Sequence, residues 1–235
     1  MRLHHLVRSR LVWIGLPIAA LSAIAVAFQG SLQAQRSPLP DPVVSVAAST
    51  VAGQETAIFA GGCFWGLEAV FEHLEGVSDA VSGYAGGSAA TAQYERVGTG
   101  TTGHAEGVKV TYDPAKISYE QLLKVFFAVA HDPTQLNRQG PDEGSQYRSA
   151  IFVANPEQRA VAQAYIEQLN SAKVFPSAIV TQVSPLAAFY AAEDYHQNFI
   201  QRNPINPYVV IHDLPKLDRL RKDFPNLYRT PVQKS

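Results

Sequence analysis

Apolar residues recur in this chain with two spacings, and the two alternate from residue 55 onward. The run Thr56-Ala57-Ile58-Phe59-Ala60 is short and apolar, as a buried strand is. Behind it Leu67, Val70, Phe71 and Leu74 fall at i, i+3, i+4 and i+7, one face of a helix, which Gly76 ends. Val77 to Val81 reads as a second strand. The glycines of Gly83-Tyr84-Ala85-Gly86-Gly87 then predict a turn-rich loop that continues past Tyr94 to Gly100. Val108, Val110 and Tyr112 alternate with Lys109 and Thr111, the period of a half-buried strand. Ser118 and Gln121 make a capping box, followed by a helix with Leu122, Leu123, Phe126 and Phe127 on its apolar face. Ser149 to Ala154 is a strand. Asn155-Pro156 starts a helix that runs towards Asn170, and Ile179, Thr181 and Val183 suggest another strand. A helix is expected to begin at Phe189-Tyr190 and run through His196. The tail, with Asn203-Pro204, Asn206-Pro207 and Leu214-Pro215, reads as mostly extended, with one short helix near Leu217 to Arg221. Strands alternating with helices imply an α/β or α+β fold, a sheet with helices packed on it, in one domain over 54–220 with a tail at 221–235.

The first 53 residues follow neither spacing. Arg2, Arg8 and Arg10 make a basic start, and no charged residue occurs from Leu11 to Gly30. This is the pattern of an export signal, with a candidate cleavage site after Ala34. The uncharged run is also long enough to span a bilayer as an uncleaved anchor. Residues 1–35 are thus expected to be a signal peptide or membrane anchor, which puts the domain outside the cytoplasm as a periplasmic, secreted or anchored protein. Residues 36–53 carry Pro38, Pro40 and Pro42 among small residues and read as a linker.

Composition narrows the function. The formal net charge is −1, so no overall basic bias points to nucleic acid. One cysteine, Cys63, excludes an intramolecular disulfide and any multi-cysteine zinc site. A redox cycle on it must borrow a thiol from another molecule. Cys63 lies in Gly61-Gly62-Cys63-Phe64-Trp65-Gly66, between the first strand and the first helix. Unpaired N–H groups at a helix start favour an anion, so a lowered thiol pKa and a nucleophilic sulfur are expected there. The plainer reading is a small, inert core residue.

Three polar stretches hold further candidates: Tyr94; His104 with Glu106; Asp142 with Tyr147. A carboxyl group buried in an apolar pocket keeps its proton at neutral pH and can donate it to a developing oxyanion, with two phenols donating to the same oxygen. Phe64 and Trp65 are placed to wall an apolar pocket. His104-Ala105-Glu106 matches a fragment of the zinc deaminase signature, but the cysteine pair that signature requires is missing. One cysteine with histidines at 104, 131 and 196 also suits a cysteine hydrolase, if an imidazole reaches the sulfur. A non-catalytic module that binds oxidised methionine is a third reading.

The strings GGCFWG (61–66), GYAGG (83–87), TGHAE (102–106), YDP (112–114), SYEQLL (118–123), HDPTQ (131–135), DEGSQYRS (142–149) and AEDYHQ (192–197) occur in order over residues 55 to 215. In this the chain resembles the type A peptide methionine sulfoxide reductases. The resemblance implies a single-domain, two-layer α/β sandwich with a mixed, ferredoxin-like sheet. It implies an oxidoreductase of protein repair under oxidative stress, which reduces the S epimer of methionine sulfoxide, free or in proteins. By that resemblance Cys63 is the nucleophile, passing through a sulfenic acid, and Glu106 the acid that protonates the sulfoxide oxygen. Tyr94 and Tyr147 bond that oxygen, Phe64 and Trp65 wall the substrate methyl group, and Asp142 supports the site. No metal or cofactor is implied. Many family members carry later cysteines that form a disulfide with the nucleophile. This chain has none, so the expected partner is a thioredoxin-like or glutaredoxin-like protein or a small thiol, acting on a monomer.

Overall fold

The structure, a computed structural model, describes residues 39–45 and 53–230. The expected signal or anchor, the remainder of the proline-rich stretch and the last five residues lie outside the described residues. Among those described, no helix is long and apolar enough to cross a membrane.

The strands are β1 (Glu55–Ala60), β2 (Val77–Ala85), β3 (Ala105–Tyr112), β4 (Arg138–Gln139), β5 (Asp142–Glu143), β6 (Ala150–Val153), β7 (Gln182–Pro185) and β8 (Phe189–Ala191). The helices are α1 (Phe64–Glu72), α2 (Tyr94–Val97), α3 (Tyr119–Val125), α4 (Pro156–Ser171), α5 (Phe199–Arg202) and α6 (Leu214–Asp223). A wider helical turn, Phe126–Ala130, extends α3, and another, Val209–Asp213, leads into α6. Six strands form one sheet in the order β7-β6-β1-β3-β2-β8, and β4 with β5 forms a separate two-stranded ribbon. Within the sheet β6 and β7 are parallel and the other neighbours antiparallel, so the fold is a mixed α/β domain.

The alternation along β1 sorts its side chains onto two faces. Ala57 and Phe59 join the large core under the helices, while Ile58 and Ala60 join a smaller cluster with Ala85, Ala105, Ala150 and Phe152. Phe59 is fully buried and stacks on Phe71 of α1 and Phe126, each at 5.0 Å between ring centres. Truncating such a ring to alanine costs about 3–5 kcal/mol. The Ser118 capping box forms as expected, with Ser118 N–H donating to Gln121 Oε1 at 2.9 Å and Gln121 N–H to Ser118 Oγ at 3.2 Å. Asn155 caps α4 with proline in its first turn.

Several expectations are corrected. The second strand does not end at Val81. Gly83 pairs with Gly107 of β3 on one side and Ala191 of β8 on the other, so the glycines continue a ladder where a loop was expected. Glu106 stands on β3, opposite Tyr84, so the strand starts ahead of the alternation that begins at Val108. Tyr94 opens the short helix α2. Phe189–Ala191 is an edge strand, because β2 leaves an open row of backbone groups there, and turns follow it up to α5. The tail is largely helical: Leu220 and Val209 are fully buried, and tertiary packing overrides the proline-marked breaks. Part of the proline-rich stretch is packed on the domain, with Leu39 buried and Tyr165 Oη of α4 donating to the Pro40 carbonyl at 2.8 Å.

Candidate active site

The chain leaves β1 at Ala60, turns through Gly61 and Gly62, and enters α1 with Cys63 as its N-cap. Gly62 has φ +93°, which a side chain would strain, so a glycine is required to aim the cysteine at the helix start. Because β3 runs antiparallel to β1, with Val108 opposite Phe59, its first residues lie beside this turn. Register alone therefore brings Glu106 to Cys63. The Phe64 N–H donates to Glu106 Oε2 at 3.3 Å, and the Trp65 N–H bonds the sulfur. The free donors of the first turn are thus shared between the sulfur and the carboxyl group.

Glu106 is 2% exposed. Burial pushes its pKa up to about 8; the Phe64 N–H works against this, and the nearby Asp142 adds to it. The carboxyl group therefore keeps its proton at neutral pH. Cys63 departs from expectation. Its thiol lies well above its ordinary pKa, first through burial and then through the neighbouring acids Glu106 and Asp213. The Trp65 N–H and Lys216 pull it down but do not prevail. A helix N-terminus alone does not make a thiolate when the sulfur is desolvated among acids, so the resting group is a thiol.

The phenols gather at the same place. Burial and then Glu106 and Cys63 push Tyr94 up to about 12. Burial also raises Tyr147, followed by Glu106 and Asp142. Both remain O–H donors at neutral pH. The Tyr94 N–H donates to Glu193 Oε1 at 3.0 Å, and Tyr84 Oη donates to Glu193 Oε2 at 2.9 Å. Asp142, in the β4–β5 ribbon, accepts a short hydrogen bond from Tyr208 Oη. Phe64 is fully buried, packed on Tyr84 and His196, whereas Trp65 is partly exposed and stacks on Phe199 at 3.6 Å. Tyr208 stands edge-on to Trp65, 5.9 Å between ring centres.

Of the residues singled out by sequence, Glu106, Tyr94, Tyr147, Phe64 and Trp65 thus gather around the sulfur of Cys63, and Asp142 reaches this group through Tyr208, Glu106 and Tyr147. Glu193, Tyr208, Asp213 and Lys216 were not singled out. Glu193 lies inside a quoted string but has no periodicity to mark it, and the others sit in a tail read as extended. The histidines do not form a nucleophile–base pair. His104 bonds the Gly87 N–H and the Ser88 carbonyl, and His131 bonds Ser149 Oγ and the Phe126 carbonyl. His196 Nδ1 accepts from Trp65 Nε1 at 3.1 Å. Among the described residues no group of three or more His, Cys, Asp or Glu is placed to hold a metal ion. The site as a whole offers a sulfur nucleophile beside a neutral acid and two phenolic donors. That set suits an electrophile whose oxygen must be protonated as its neighbouring atom is attacked.

Comparisons with known proteins bear on that chemistry. The family model described as peptide methionine sulfoxide reductase matches residues 55–227. A peptide methionine sulfoxide reductase MsrA 2 of Synechocystis sp. is 58% identical over 188 residues, 79% of this chain and 88% of the relative. One of Mesorhizobium japonicum is 60% identical over 176 residues, 75% of this chain and 90% of the relative. Among solved structures, methionine sulfoxide reductase A of Corynebacterium diphtheriae is similar with a TM-score of 0.58 and 36% identity, covering 72% of this chain and 84% of its own. Reduced Mxr1 of Saccharomyces cerevisiae is similar with a TM-score of 0.61 and 34% identity, covering 65% of this chain and 87% of its own.

Proposed function

The chain belongs to the type A peptide methionine sulfoxide reductases, and from that premise we propose how its residues carry out the reduction. The protein is an oxidoreductase that converts methionine sulfoxide to methionine; neither the hydrolase nor the binding-module reading is supported. The observation that carries the mechanism is a carboxyl group, Glu106, that is buried and accepts a hydrogen bond from the residue next to Cys63, with its pKa pushed up to about 8 by that burial.

A sulfoxide sulfur is a weak electrophile. Glu106 donates its proton to the sulfoxide oxygen, with the Tyr94 and Tyr147 hydroxyls donating hydrogen bonds to the same atom, and the sulfur becomes open to attack. Cys63 attacks that sulfur as its thiol proton departs to restore Glu106, and an S–S bond forms between the two sulfurs. The S–O bond of the substrate then breaks as its hydroxyl passes to Cys63, the S–S bond breaks with it, and an S–O bond to Cys63 remains. Cys63 is oxidised by two electrons to the sulfenic acid, and the substrate sulfur is reduced by two to the sulfide. Trp65 and Phe64 take the substrate methyl group, and Asp142, held by Tyr208, supports the site. We assign the S epimer, free or in proteins.

Cys63 is the one cysteine of the 235-residue sequence, which supports regeneration from outside. A first external thiol displaces water from the sulfenic acid to give a mixed disulfide, and a second releases Cys63 as the thiol. A thioredoxin-like or glutaredoxin-like protein or a small thiol has the chemistry required. The basic start and the uncharged run over 11–30 support export of this reductase, and a strand order β6-β1-β3-β2 supports a two-layer, ferredoxin-like core.

Turnover of each sulfoxide epimer with dithiothreitol tests this reading. Activity on the S epimer, lost in Cys63→Ala, is expected. One equivalent of substrate without reductant should add one oxygen atom to the intact mass. No turnover of the S epimer, or full turnover by the alanine variant, overturns it.

A further inference from the structure

The last glycine of the cysteine turn has no part in the mechanism above. Gly66 lies in the first turn of α1, and a Cβ there would meet Asp213 Oδ1 at 2.1 Å and Lys216 Nζ at 2.6 Å. The glycine therefore makes room for a charged pair from the tail, seated against the helix that begins at Cys63. Asp213 is fully buried, and its Oδ1 accepts from Lys216 Nζ at 3.1 Å. Its Oδ2 is buried and accepts no hydrogen bond among the described residues.

The local pair with Lys216 accounts for only one oxygen of this carboxylate. Asp213 precedes α6, yet its side chain makes no capping hydrogen bond to that helix. Nor is the pair a solvated one on the surface of α6, because the acid is out of water and faces α1. A buried carboxylate is unfavourable unless it is paired and bonded, and half of this one is not. Gly66 lies three residues after Cys63, so the pair sits against the same first turn of α1 that carries the sulfur. The groups that act electrostatically with Cys63 are Glu106 from β3, Tyr94 from α2, Tyr147, Tyr208, the Trp65 N–H, Asp213 and Lys216, and Asp213 in turn is acted on by Lys216, His212 and Asp142. Asp213 and Lys216 act on it with opposite signs.

We propose that Asp213 and Lys216 are positioning residues that together set the resting reactivity of Cys63, the carboxylate holding the sulfur as a thiol and the ammonium limiting that hold. This builds on the reductase reading and gives it a protective element. A chain with one cysteine has no partner sulfur with which to trap its own sulfenic acid as a disulfide. One peroxide would oxidise an exposed thiolate to the sulfenic acid and a second would carry that on to the sulfinic acid, which an ordinary thiol does not reverse. A sulfur kept protonated between encounters reacts slowly with peroxide in solution, and the acid at Glu106 still activates the sulfoxide once it is bound.

The test uses alkylation of the reduced protein by iodoacetamide across pH, which needs no substrate and so stands apart from the reductase reading. Asp213→Asn leaves Lys216 unopposed and is expected to speed alkylation at pH 7 by roughly threefold to tenfold. Lys216→Met is expected to slow it by a similar factor, while Lys216→Arg stays within about twofold of the parent. In the double variant Asp213→Asn/Lys216→Met the two effects should largely cancel. Shifts of the same sign in the two single variants, or no shift in either, overturn the proposal. Should Asp213→Asn fail to fold, the contrast between Lys216→Met and Lys216→Arg decides alone, equal rates counting against it.

Discussion

Glu106 and Glu193 carry the same functional group into one site from two regions of the molecule, and their surroundings drive them in opposite directions. Glu106 stands on β3 in the middle of the sheet, sealed from water, with one backbone N–H to oppose its burial. Its pKa is raised to about 8. Glu193 lies just beyond the edge strand β8, partly exposed. Burial alone would raise it, but the Tyr94 N–H, its own N–H, the Tyr84 hydroxyl and His196 outweigh that, and its pKa is lowered. The central region therefore supplies a proton donor, and the edge region an anion that holds Tyr94 in place. Number of donors and access to water decide the role, while the residue type does not.

The largest expected effect breaks the central half of this contrast. Glu106→Gln keeps the shape and removes the proton source, so turnover with dithiothreitol should fall by roughly 10²- to 10⁴-fold. Turnover of the parent should also decline as pH rises through about 8, where Glu106 loses its proton. A Gln variant with parental turnover would assign the acid to another group.

Folding stability sharpens the contrast next. From about 4.5 to about 8 the folded chain holds the Glu106 proton that the unfolded chain has released, so this group makes stability fall as pH rises across that window. The slope approaches about 1.4 kcal/mol per pH unit at most, and Glu106→Gln should remove it in urea titrations at pH 5 and pH 8. Glu193 has the opposite sign. Its contribution is present above the ordinary carboxylate range and is lost as pH falls through its lowered value, and partial exposure keeps it small.

Glu193→Gln tests the edge half directly. The amide still accepts from Tyr94, but without a charge, so Tyr94 is held less firmly. Turnover should drop by about threefold to tenfold, with the pH at which activity declines unchanged. A shift of that pH would mean that Glu193 belongs to the acid itself. The smallest effect is expected for Tyr84→Phe, which removes one hydrogen bond to Glu193 at 2.9 Å. Chemical denaturation should show a loss of about 1–2 kcal/mol, with turnover within about threefold of the parent.

Local chemistry was legible before any coordinates. The Cys63 turn, the Ser118 capping box and the Asn155-Pro156 helix start each depend on residues a few positions apart, and each forms as its residues imply. Six of the seven candidate site residues lie in short strings with their own signature, and Tyr94 lies in the glycine-bounded stretch between two of them. What a one-dimensional reading could not supply is the surroundings. The ladders through Gly83 and Glu106 depend on strands distant in sequence, and the tail becomes helical only against α1. The protonation of Cys63 was misjudged for the same reason. A helix start is visible locally, whereas what opposes it is first the burial of the sulfur and then acids from β3 and from Asp213, 43 and 150 positions away in the numbering. By itself the sequence determined which groups could react and where the chain turns, since those follow from neighbouring residues. Tertiary structure alone decided which of them keep their protons, because burial and long-range charge belong to the space around a group.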